Sequence, residues 1–475
     1  MIVEDLTGQP LRCSSKEALD HFNQGLTEYV LAREDCAQHF KKALKLDPTL
    51  VIPHSMMVIF CLSGMQSPTD SVVSPHLEVV KRAAAADHHH QGEEDLTERE
   101  RGYVRAALAY ASGSLDNATK ELCNMLFEYP RDALALRVVV DSYIGLGEYE
   151  KMRDLVARVL PFWTEDMPLY HGVLACYGFA LEECRERGKA EEVARKALAM
   201  DRRTPFATHA MAHIFEEAHD PTKGVEFLTA TRADWTGVFQ GHINWHLLLY
   251  YLDLGDISKL LEEFDTHLKP KANKDNLFGL LDASSLLWRL EVMGIEVGEE
   301  RWEVVTQGMT PHIHNHRSPW FDTHIMFSLA RGKVCESTAR LALAEGMMKS
   351  MHKYAVDDAE DLPNQKLAEK LGVPVCNALL AFGQEKYDEV LQIMVPLRYE
   401  FLSFGGSWAQ RQVFNVTMIQ AAIKANNLSV ALGLAAEMMA QKPSNPRYPK
   451  LFQELKSLQT QQKSIESPAS KKRKI

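Results

Sequence analysis

Gly113-Ser-Leu-Asp-Asn-Ala118 opens an amphipathic run that ends at Tyr129-Pro130, and Gly147-Glu-Tyr-Glu-Lys-Met152 opens another that ends at Leu160-Pro161. The two glycines stand 34 residues apart. In each run apolar residues recur three and four apart, the period of a half-buried helix. A tight turn begins each copy, and a small or flexible residue in the helix lets a neighbour approach. Proline then ends the copy, because it cannot continue a helix. This is the grammar of stacked helix pairs.

Working outward, weaker copies appear at Ala43-Leu-Lys-Leu-Asp-Pro48, at Ala190, Ala197 and Asp201, and at Gly255-Asp-Ile257 with Leu260 and Phe264. Two more involve Tyr387, Val390 and Met394, and Leu428, Ala431, Ala435 and Pro443. No Asn-Gly or Asp-Gly turn joins two alternating strands. A 34-residue helix–turn–helix period is that of tetratricopeptide repeats. The sequence therefore predicts an all-α, right-handed α-solenoid of tetratricopeptide-like helix pairs, with a concave face for binding. Its expected divisions are an N-terminal segment over 1–13, one repeat domain over 14–455 and a disordered basic tail over 456–475.

Composition fits that reading and narrows function. Of 475 residues, 46% are hydrophobic and 25% charged, as in folded soluble proteins. A net charge of −11 argues against nucleic acid as the main partner, since phosphate binding needs a basic surface. The N-terminus carries neither the basic nor the apolar part of a secretory signal. The most apolar stretch, Val51 to Met65, is interrupted by Pro53, His54 and Gly64, so no membrane span is expected. The eight cysteines form no C-x-x-C pair and read as buried hydrophobes in a reducing compartment. A cytoplasmic protein is expected, with nuclear entry through Lys471–Lys474 as an open alternative to an inert tail. His88 to His90 read as a solvated run, because consecutive helical residues cannot all face one ion.

Histidine is unevenly spread, with ten of 19 between His209 and His324. His209, His213 and Glu216 share one helical face. His242 and His246 repeat the spacing 33 residues later, with Trp245 between them. Neighbouring repeats should bring the two pairs within about 10 Å. Counting from the turns places His209, His213, Glu216, His242 and Trp245 on the groove side, with His246 at its edge. Asp265, His267, His324 and Arg411 are further groove candidates. Three readings stand: a divalent metal held by His209, His213, Glu216 and His242; a metal-free pocket for acid–base work or a ligand; and structural histidines filling a crowded face. His209-Ala-Met-Ala-His213 lacks the glutamate of a metalloprotease, and the structural or ligand-lining readings are favoured over the metal. His312-Ile-His-Asn-His316 reads as a solvated loop. Ser407 reads as the cap of a helix over Trp408 to Lys424; an ordinary capped helix is favoured over an N-terminus that, with Arg411, holds a carboxylate or phosphate.

Pro161-Phe-Trp-Thr-Glu-Asp-Met-Pro168, Thr208-His-Ala-Met-Ala-His-Ile214, His242-Ile-Asn-Trp-His246, Asp265-Thr-His267 and Gly405-Gly-Ser-Trp-Ala-Gln-Arg411 together resemble the tetratricopeptide repeat protein 38 family over about residues 12 to 450. The resemblance implies a cytoplasmic helical-repeat protein and supplies no mechanism. A binding protein holding a peptide, protein or small molecule in its groove is the leading expectation. The alternative is an enzyme with a His/carboxylate site, metal-dependent or not, around 209–324.

Overall fold

The computed structural model describes residues 1–33, 36–64, 66–87, 96–237, 239–273, 276–358, 360, 362–442, 445 and 447–466. It is an all-α solenoid in which each helix packs mainly on its sequence neighbours. His88–His90 and Lys471–Lys474 lie outside the described residues. The N-terminal segment adds a small antiparallel hairpin, Ile2–Glu4 against Pro10–Arg12. It is anchored by the fully buried Arg99, which pairs with both Asp5 and Asp132 at 2.7 Å. At the other end the final helix, Arg447–Glu466, continues past residue 455, which corrects the expected disorder over 456–466.

The turns carry the geometry that the glycines predict. Gly147 caps the helix Ala133–Leu146 in the left-handed region, at φ 69°. Gly224 faces the ring of Tyr250 so closely that any side chain there would displace it. That contact is what a small residue at this repeat position provides.

The helices fall into two classes. Outer ones bury one stripe: Arg187–Met200 buries Ala190, Ala194 and Ala197, and Pro221–Thr231 buries Gly224 and Leu228. Inner ones are covered all round. Pro205–Ala218 is buried at every position from Pro205 to Glu216, and Pro319–Ala330 throughout. A helix apolar on all sides must be enclosed. The enclosure comes from the chain's own C-terminal third. Helix Trp408–Lys424 packs against helix Leu277–Val292, where Trp288 donates to Thr417 at 2.9 Å and Arg289 donates to the carbonyls of Ala409 and Gln410. Residues 401–404 reach across to helix Ala133–Leu146, and Tyr149 donates its hydroxyl to the Gly406 carbonyl. Over the middle repeats the inner face is thus packed against the chain's own C-terminal helices.

Two large apolar clusters result, one running from Leu11 to Tyr250 and one from Trp245 to Leu455. They meet on helix Phe239–Leu254. Ile243, Leu247 and Tyr250 belong to the first; Trp245, Leu248, Leu249 and Leu252 belong to the second. His242 and His246 lie on this seam helix.

Candidate functional site

Helices Pro205–Ala218 and Phe239–Leu254 are adjacent inner helices, and their histidine pairs face each other. The rings of His209 and His213 lie 4.5 Å apart, His209 and His242 4.8 Å, His213 and His246 4.5 Å, and His242 and His246 4.9 Å. The Nε2 of His209 sits 3.0 Å from that of His213 and 3.1 Å from that of His242. One nitrogen from each of the four rings falls within 4.8 Å of the others. None of the four side chains is more than 4% exposed.

Aromatic walls fix the rings. Phe179 stacks on His209 at 5.0 Å, and Trp245 stacks on His242 at 5.3 Å with an interplanar angle of 10°. Behind the rings stand carboxylates. The Asp282 oxygens lie 2.9 and 3.1 Å from His242 Nδ1. Glu182 and Glu183 lie 3.4 and 3.5 Å from His213 Nδ1, and Glu216 lies 3.4 Å from His246 Nδ1. Glu216 is anchored by the buried Lys442 at 3.1 Å, with Gln412 at 3.5 Å. The N–H of Trp408 donates to both Glu183 oxygens at 3.2 and 3.3 Å. The N-terminus of the helix Trp408–Lys424, read mainly as an ordinary capped end, thus also meets a carboxylate of this chain, beneath a Ser407–Gln410 capping box.

Facing the Asp282 carboxylate, His242 is placed to donate from Nδ1. The Nε2 atoms of His213 and His242 both meet the Nε2 of His209. Among the described residues His209 Nδ1 and both nitrogens of His246 lack hydrogen-bond partners. Burial first, then the neighbouring imidazoles, holds His209 and His213 well below the ordinary histidine pKa, and burial first lowers His246 as well. Burial pushes Glu216 up, but Lys442 and His246 outweigh it and hold it below the usual carboxylate range. Glu182 is driven well up by burial and then by Glu183; Glu183 is pushed up to about 7 by burial against Arg411 and the Trp408 N–H. The centre is thus a set of four buried imidazoles whose inward nitrogens meet one another. Three of the four rings are backed by acids.

The remaining candidates divide. Glu216 and Trp245 join the cluster, and His246 sits inside it rather than at an edge. Asp265 and His267 do not belong. They lie on the turn Phe264–Leu268 after an outer helix, Asp265 clamped by Arg301 at 2.9 and 2.5 Å and His267, 42% exposed, beside Glu263. The buried stripe of this outer helix and turn is taken by Leu260, Phe264 and Leu268, which leaves Asp265 and His267 facing outward. His324 is buried but occupied elsewhere: its Nδ1 donates to the Trp320 carbonyl at 2.8 Å, and burial lowers its pKa to about 3. Arg411 grips the carbonyls of Gly405 and Gly406 and the Tyr149 hydroxyl. The 312–316 stretch is not simply solvated, for His316 is buried between Asp322 at 3.0 Å and Ser350 at 2.8 Å. Sequence reasoning missed Asp282, Glu182, Glu183 and Lys442.

A cavity of about 590 Å³ adjoins the cluster. Glu183, Trp408, Arg411 and Gln412 form part of its wall, with Tyr149 and Arg185 nearby. No helix among the described residues is long and apolar enough to cross a membrane.

No family model matches the chain. Among solved structures, one described as a human IFIT1 dimer with PPP-AAAA is 11% identical, covering 94% of this chain and 96% of that one, at a TM-score of 0.39. Another, the TPR domain of P58(IPK), is 14% identical, covering 94% and 99%, at a TM-score of 0.20. At such identities and scores neither likeness carries an argument, and the helical-repeat fold rests on the helices described above.

Proposed function

We propose that this helical-repeat protein binds a divalent transition metal ion between His209, His213, His242 and His246. The observation that carries the reading is the convergence of four buried imidazole nitrogens within 4.8 Å of one another. An ion at their centre takes up every converging lone pair. Around zinc, with metal–nitrogen bonds of about 2.0–2.1 Å, tetrahedral ligands stand roughly 3.4 Å apart. The 3.0 and 3.1 Å contacts of His209 need to open by only a few tenths of an ångström. Asp282 behind His242, Glu216 behind His246 and the Glu182–Glu183 pair behind His213 form the outer shell that orients metal-bound imidazoles. An all-imidazole set suits zinc, iron, copper or nickel over calcium or magnesium.

Membership of the tetratricopeptide repeat protein 38 family and a cytoplasmic location belong to the same proposal, and two of the resembling motifs carry the four histidines. A small-molecule ligand is the second reading, supported by the cavity beside Glu183. Elemental analysis of untagged protein, purified without chelator, tests the first. At least one equivalent of a transition metal is expected, removed by chelation and restored by titration. Protein that is metal-free and takes up none ends it; ligand stabilisation of such protein in a thermal-shift screen would transfer support to the second.

A further inference from the structure

Glu182 and Glu183 end the inner helix Tyr170–Glu183 with side chains only 1% exposed. Two neighbouring buried carboxylates need a cation or strong donors. Glu183 has the Trp408 N–H, while Glu182 Oε2 has no hydrogen-bond partner among the described residues. The nearby guanidinium of Arg411 is engaged by backbone carbonyls and Tyr149. One oxygen of each glutamate and a nitrogen of His213 lie within 4.8 Å of one another. His213 turns its Nε2 toward His209 and its Nδ1 toward these two acids.

We propose a second divalent cation held by Glu182, Glu183 and the Nδ1 of His213, joined to the four-histidine ion through the His213 ring. This deepens the metal reading and rests on it. The 3.4 and 3.5 Å separations from Nδ1 to the carboxylates are longer than good hydrogen bonds, and they match the spacing of about 3–3.6 Å between ligands of one ion bonded at roughly 2.0–2.2 Å. Binding replaces the Nδ1 proton of His213, which leaves to solvent; the ring becomes a bridging imidazolate and no electron moves. The two positions differ in access. The four-histidine ion has a complete protein ligand set in a sealed interior. The second has three protein ligands, and one of them, Glu183, lines the cavity. Its open coordination positions suit water or an oxygen-donor small molecule entering there, the arrangement of a reactive metal rather than a structural one.

Chelator-treated protein titrated with Zn²⁺ is expected to take up two equivalents, and the E182Q/E183Q double variant only the tighter one. Circular dichroism checks that the variant is folded. Should it not fold, Cu²⁺-loaded wild type supplies the same answer, since ions bridged by one ring give a magnetically coupled electron paramagnetic resonance signal and a lone ion does not. A wild-type plateau at one equivalent, an uncoupled signal from fully loaded protein, or a folded double variant that still binds two overturns the second site and leaves the first standing. No uptake at all overturns both.

Discussion

His209, His213, His242 and His246 are as deeply buried as His316 and His324, yet the two groups solve burial in opposite ways. His316 spends Nδ1 on Asp322 and Nε2 on Ser350, and His324 donates to its own helix at the Trp320 carbonyl. Those imidazoles are paired and need nothing more. In the four-histidine centre the outward nitrogens of His213 and His242 face acids while the inward ones crowd together. A buried histidine that is satisfied by the fold is part of the fold. One whose inward nitrogen meets only other nitrogens is, on the proposed reading, a metal ligand.

Two substitutions test that contrast where it is largest. His213→Ala removes an ion ligand, and metal affinity should fall by more than the roughly 10–100-fold typical of an outer-shell change. His324→Ala should leave metal content unchanged and cost about 2–4 kcal/mol through a lost hydrogen bond and an aromatic-sized cavity. Denaturant unfolding with and without chelator separates them. The His324 variant should lose the same stability in both conditions. The His213 variant should stop responding to chelator, and its metal-free form should suffer less than the His324 variant, since the deletion also relieves a nitrogen–nitrogen contact. Equal losses in both variants, insensitive to metal, would make the two groups alike and structural.

How much of this was legible beforehand follows from what repeats and what does not. The helix pairs were readable because turn, small residue and proline recur with a fixed period. The pairing of His209–His213 with His242–His246 was readable for the same reason, as a 33-residue offset places equivalent helices side by side. Asp282 had a faint signal, a single carboxylate within the apolar run Leu277–Val292. Lys442 had none: it follows the helix Leu428–Gln441 and reaches Glu216 only because the C-terminal repeats return over the inner face. That closure depends on the accumulated curvature of many repeats, which no local pattern encodes. Asp265 and His267 failed for a local reason: they continue an outer helix whose inward stripe belongs to Leu260, Phe264 and Leu268.

Acid should expose the cost common to both groups. His209, His213 and His246 have folded pKa values below the unfolded value of about 6.5, as do His324 near 3 and His76 and His219 near 4. Below that pH the unfolded chain binds protons that the folded one refuses, so stability is present above about 6.5 and is lost as pH falls toward the folded values. Glu182, Glu183, Glu217, Asp253 and Asp322, raised in the fold, act in the opposite sense but are fewer than the lowered histidines. Chelated protein should therefore melt at progressively lower temperature from about pH 7 to pH 5, by roughly 1.4 kcal/mol per pH unit for each net proton taken up. Bound metal should blunt the decline until the imidazoles release it. A melting temperature that rises on acidification would show the carboxylates to dominate.

The smallest effect belongs to the residues that the fold carries outward. Asp265 meets Arg301 in a two-pronged contact, yet its side chain is 39% exposed, and such pairs contribute about 0–1 kcal/mol after screening and side-chain ordering. Asp265→Ala should thus lower stability by no more than that, with the loss shrinking in high salt. His267→Ala should change nothing measurable, because its ring is 42% exposed and its one acidic neighbour, Glu263, also holds Arg232 at 2.8 Å. Neither variant should alter metal content. If either one did, the boundary drawn between inner and outer histidines would be in the wrong place, and the outer surface of the repeats around Phe264–Leu268 would have to be counted as part of the centre.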